Sequence, residues 1–218
     1  MSRKLRLNYG FIAKIGTVLA SILLITTLIN MVVSLVNKSY GDNFSMFLIE
    51  NAINVIFYFI ILSYFAKGKS ASFYIYIALC MFLISDYILP TIMNFILQLS
   101  QFIINWSDFS FYFLSISAVL GIVYFILLVL SMKSGGNKYL IPLIVIGAIL
   151  VLVSLAKAIF LIDIAIQSLK IFFSETFNGN FGSIFTLFPM IVVLISELAN
   201  CALSILYLLF PICAKKAL

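Results

Sequence analysis

The chain has 218 residues, 65% of them hydrophobic and only 9% charged, and its mean hydropathy is +1.26. Soluble domains carry about 25% charged residues, so the composition excludes a packed water-soluble core and points to an all-α, polytopic membrane protein folded as one domain. The net charge of +6 does not indicate nucleic acid, because the basic residues stand in small groups at the ends of apolar runs, and the absence of histidine removes histidine metal sites and Ser-His-Asp or Cys-His catalysis.

Six spans are expected, at about 11–36, 46–66, 71–99, 108–132, 139–165 and 183–214. The first follows Arg3, Lys4 and Arg6, and it is too long to be the apolar segment of a signal peptide. Gly16 and Ala20 on it form a small-xxx-small pair that lets a neighbouring helix approach closely. The second span carries Glu50 and Asn54 and ends at Lys67 and Lys69. The third carries Cys80, Asp86 and Pro90, a proline able to kink it. The fourth offers only the hydroxyls of Ser115 and Ser117 as polar groups at depth. The fifth carries Lys157 and stays apolar to about Phe173. The sixth carries Pro189, Glu197 and Asn200. Short connections favour antiparallel neighbours in a bundle.

Orientation follows from charge. Arg3, Lys4, Arg6, Lys67, Lys69, Lys133, Lys138, Lys215 and Lys216 all fall on one side, where no acidic residue lies. The opposite loops hold only Lys38 and Lys170. Basic loops stay cytoplasmic, so both termini are expected inside. Lys14 is read as snorkelling to the inner headgroups. N-x-S sequons at Asn37, Asn43 and Asn105 fall in outer loops, and the compact loops suit a bacterial plasma membrane.

The polar residues inside the spans share one depth. Asn30, Glu50, Asp86, Lys157 and Glu197 each lie about 16 to 19 residues from the nearest inner-side lysine, which places them roughly 24–29 Å above the inner charges. That is the outer part of a hydrocarbon core of about 30 Å. Ionisable groups there are costly and by default mark a functional site. The candidate ligand- or ion-binding set is therefore Glu50, Asp86, Lys157, Glu197, Asn30, Asn54 and Asn200, with Lys157 expected to pair with Asp86 or Glu197. No metal-binding or catalytic residue is assigned, and no cofactor is expected.

Spans three, five and six run on past this layer by about 13 to 16 residues, or roughly 20 Å if helical. Polar residues recur along the extensions at helical spacing: Asp86, Pro90, Asn94, Gln98 and Gln101; Asp163, Gln167 and Lys170; Thr186, Pro189, Glu197, Asn200 and Ser204. These stripes either face headgroups or line an outward vestibule. Cys80, Cys201 and Cys213 lie in apolar runs and are read as small core residues. Tyrosines near span ends and Trp106 suit interfacial belts.

No P-loop, H-E-x-x-H or G-x-S-x-G motif is present, so the chain is not expected to be an enzyme. The expected function is transport-associated, as a permease or a substrate-binding membrane subunit with an outward-facing polar site for a small solute or cation. The alternatives are a non-catalytic subunit bound to another membrane protein, or a membrane protein that protects against an external peptide. The lipid bilayer is the one obligatory partner.

Overall fold

A computed structural model describes residues 9–37, 44–68, 72–100, 109–134, 137–177 and 184–217. Arg3, Lys4, Arg6, Lys38, Asn43, Lys69, Gln101, Asn105 and Trp106 lie outside the described residues, as do the side chains of Asn94, Gln98, Lys133, Pro189, Cys213, Lys215 and Lys216. The described chain is all helical: α1 (Tyr9–Asn37), α2 (Phe44–Lys67), α3 (Ser72–Leu83), a π-helical turn (Ile84–Ile88), α4 (Leu89–Ser100), α5 (Phe109–Ser134), a 3-10 turn (Asn137–Tyr139), α6 (Leu140–Phe177) and α7 (Ile184–Ala217).

Five stretches are long and apolar enough to cross a membrane: Gly10–Val33, Leu48–Lys67, Phe73–Met93, Leu140–Lys170 and Met190–Ile212. α5 adds a shorter apolar stretch, Ser115–Ser131. Large apolar side chains such as Val18, Phe59, Val119, Leu152, Ile159 and Phe160 point outward from these helices. Soluble monomers rarely expose apolar patches beyond a few hundred Å². The architecture is that of an integral multi-pass membrane protein.

The helices form a closed ring in chain order, each packing on its sequence neighbours while α1 also packs on α7. The first pair closes at Gly16, where an added Cβ would stand 2.5 Å from the Phe65 ring. Gly16 and Ala20 are both buried, so the small pair serves contact within the chain. Phe82, Tyr124 and Tyr207 fill the interior, with Phe82 stacked on Tyr207 at 5.6 Å between centroids. Across the ring, Tyr76 meets Phe210 edge-on at 4.4 Å.

The extensions on α6 and α7 are continuous helix. At 38 and 34 residues, these helices run roughly 57 and 51 Å, well beyond a hydrocarbon core of about 30 Å. The third span instead changes its winding. The Leu89 N–H reaches back to the Ile84 carbonyl, one residue farther than in an α-helix. Pro90 explains the position. Its ring collides with the carbonyl four residues earlier, that of Asp86, and it has no N–H to give it. The extra residue in the turn relieves the collision, so the proline widens the helix at Asp86. This also rotates α4 relative to α3, and equal sequence spacing on the two sides of Asp86 no longer means one face.

Pro211 creates a matching vacancy on α7 by withholding an N–H from the Tyr207 carbonyl. Here the cap is visible: the Tyr124 hydroxyl of α5 donates to that carbonyl at 2.6 Å, and both residues are fully buried. Tyr124→Phe should therefore cost about 1–3 kcal/mol, because a buried acceptor loses its donor while packing is kept. The check is thermal unfolding in detergent, in which a melting temperature equal to wild type would refute the cap.

Candidate functional site

Three helix faces and the π turn converge at one level. On α2, Glu50, Asn54 and Tyr58 follow at intervals of four and so share a face. Tyr58 is buried, Asn54 and Glu50 partly so. On α7, Glu197, Asn200, Ser204 and Tyr207 make one inward stripe, all buried. On α6, Leu150, Ser154 and Lys157 face the same interior. The π turn contributes Ser85, Asp86 and Tyr87.

Lys157 Nζ pairs with Glu197 Oε1 at 3.0 Å, joining α6 to α7. The Glu197 side chain is 10% exposed and that of Lys157 is 38% exposed, so the carboxylate lies deeper than the ammonium. The Lys157 charge also acts on Asp86 and Glu50, and Asp86 in turn feels Glu197. Lys157 is thus in contact with Glu197 and within electrostatic reach of Asp86 and Glu50, carboxylates drawn from α7, the π turn and α2.

Neutral groups tie the cluster to the helices. Ser85 Oγ donates to Asn54 Oδ1 at 3.1 Å, linking the π turn to α2. The Tyr58 hydroxyl is within hydrogen-bonding reach of the Ser85 and Asn200 side chains and faces both Asp86 and Glu197. Tyr87 shares a hydrogen bond of 2.8 Å with Ser154 of α6. Among the described residues two buried side-chain oxygens, both on the α7 stripe, are left without a hydrogen-bond partner: Asn200 Oδ1 and the Tyr207 hydroxyl.

Of the seven residues expected from the sequence, six lie in or beside this cluster: Glu50, Asn54, Asp86, Lys157, Glu197 and Asn200. Asn30 sits on α1, half-buried and engaged in an interaction of its own, and is not part of the constellation described above. Ser115 and Ser117 on α5 are likewise engaged. The sequence reading missed Tyr58, Ser85, Tyr87 and Ser154. A signal for two of them was present, because Tyr58 and Tyr87 lie deep inside apolar runs, away from the span ends where interfacial tyrosines belong. The α6 extension places Asp163, Gln167 and Lys170 on exposed positions, with Gln167 Nε2 donating to Asp163 Oδ2 at 2.8 Å. Cys80 and Cys201 are free thiols.

The chemistry available is binding and charge compensation. Acceptor oxygens predominate in the cluster, and its one cation is already engaged. Among the described residues no group of three or more His, Cys, Asp or Glu side chains is arranged to hold a metal ion. Comparison with known proteins returns no match to any family model, curated protein or solved structure.

Proposed function

We propose that the chain spans the membrane six times with both termini cytoplasmic. We further propose that it is a non-enzymatic, transport-associated protein, either a permease or a substrate-binding membrane subunit. Its ligand site is the charged cluster in the outer half of the bundle, and its ligand is a small cationic or zwitterionic solute. The supporting observation is the convergence of three carboxylates on one lysine across four separate elements. Burying such a group of charges is expensive and is retained where it performs a task. The excess of carboxylates favours a positively charged group, and a carboxylate on the same solute would take Lys157 in exchange for Glu197.

The test is thermal unfolding of the purified chain against a panel of amines, amino acids and simple cations. One chemical class should raise the melting temperature. Asp86→Asn should abolish that rise while leaving a folded protein, since amide for carboxylate keeps the shape and removes the charge. A panel without effect, or a shift that survives Asp86→Asn, would refute the reading.

The 3.0 Å contact of Lys157 with Glu197 supports a second reading, in which the pair fixes the register of α6 on α7 in a non-catalytic subunit of a larger complex. In that case the same substitutions would lower expression or release a co-purifying partner.

A further inference from the structure

We infer that Asp86, Asn200 Oδ1 and the Tyr58 hydroxyl, gathered at the π turn, form a binding site for one monovalent alkali cation, Na⁺. This deepens the reading above by assigning part of the cluster to an ion that accompanies the solute, and it rests on that reading for the site's depth in the membrane.

Four observations lead there. The first is charge. Lys157 is held by Glu197 at 3.0 Å, which leaves Asp86, Glu197 and Lys157 with one excess negative charge between them. One monovalent cation cancels it, whereas a divalent ion overshoots. Glu50 stands one turn beyond Asn54 toward the outer end of α2, roughly 6 Å away along the helix, and is half-exposed. It belongs to the solute's side of the cluster.

The second is the unused acceptor. Asn200 is 7% exposed, its Oδ1 has no hydrogen-bond partner, and its side chain lies against Tyr58, which faces Asp86. A buried amide oxygen left without a donor is costly unless a ligand supplies the positive end. The third is the π turn. A single widened turn inside a continuous helix is frequent at functional sites, and this one is centred on Asp86, the only carboxylate of its span. The fourth is the donor set itself, one carboxylate with neutral oxygens. Hard cations take oxygen ligands, and a single carboxylate suits a singly charged one.

The experiment uses the full-length chain in detergent, without organic solute. Thermal unfolding is followed as choline chloride is replaced by sodium chloride at fixed ionic strength. The melting temperature should rise saturably, on the order of 5 °C at large excess. Asp86→Asn and Asn200→Leu should each lose the rise, and Glu50→Gln should keep it. If Asp86→Asn folds poorly, Asn200→Leu carries the same comparison. No sodium effect on the wild-type chain, or an effect that survives both substitutions, overturns the site. A melting temperature that follows pH but not sodium assigns the charge to a proton, and a rise reproduced by methylammonium assigns it to an organic ammonium; either overturns the alkali-cation assignment. Loss of the sodium effect alone leaves the solute shift standing, so the two proposals fail separately.

Discussion

Lys157→Ala is expected to destabilise the folded chain by about 2–4 kcal/mol, whereas Lys170→Ala, farther along the same helix at an exposed position, should change stability by no more than about 0.5 kcal/mol. The cause is what remains behind. Without the ammonium, the Glu197 carboxylate is buried without its partner, and Asp86 and Glu50 lose the one positive charge that acts on them among the described residues. Breaking a fully buried pair costs about 3–5 kcal/mol, and the range is lowered here because the Lys157 side chain is 38% exposed. A second substitution separates pairing from packing. Lys157→Met with Glu197→Met removes both charges and keeps apolar volume, so it should recover much of the loss, as replaced ion pairs often do. Urea or thermal unfolding of the wild type, Lys157→Met, Glu197→Met and the double Met variant supplies the cycle. Equal stability of the Lys157→Ala and Lys170→Ala variants would show that the cluster does not depend on its cation.

That expectation is legible in the sequence, because depth along a helix is a matter of counting. Each residue advances about 1.5 Å, and the basic residues at the inner ends supply a common origin. Lys157 and Glu197, counted from opposite directions on α6 and α7, were expected at one height, and they meet. The apolar runs were equally plain, since a stretch of about 20 residues is long enough for its composition to decide its environment. What the count could not supply was azimuth. Whether Glu197 meets Lys157 or Asp86 does so depends on rotation about each helix axis, which is set by packing at distant residues such as Gly16 against Phe65. The π turn lay further out of reach. Pro90 signalled a disturbance, but a kink and a widened turn both relieve the same collision. The tyrosines were hidden for another reason. In an apolar run a tyrosine reads as an interfacial residue or as a substitute for phenylalanine, and only the positions of Ser85, Asn200 and Ser154 on other helices reveal what the hydroxyls of Tyr58 and Tyr87 are for.

The junction of α6 with α7 shows how the site depends on packing below it. An added Cβ on Gly147 would lie 2.9 Å from the Tyr207 carbonyl oxygen, 3.1 Å from its carbon and 3.3 Å from the Tyr124 ring. Two of these three atoms are backbone, so no rotamer change can clear them and the helices themselves must part. The oxygen concerned is the one that Pro211 frees and Tyr124 caps at 2.6 Å. Gly147→Ala should therefore lengthen that hydrogen bond and cost about 1–3 kcal/mol, and Gly147→Leu should prevent stable packing of α6 on α7. The displacement extends upward. Lys157 lies ten residues along α6, roughly 15 Å away, and its partner Glu197 lies at the matching height on α7. Helices forced apart at Gly147 would separate this pair as well, since each is a stiff rod at that length. The expected result is that Gly147→Ala lowers both the melting temperature and any ligand-induced shift, although it touches no residue of the cluster. A Gly147→Ala protein with wild-type stability and an unchanged shift would show that α6 and α7 can slide without consequence, and that the close approach at Gly147 does not hold the charged layer in register.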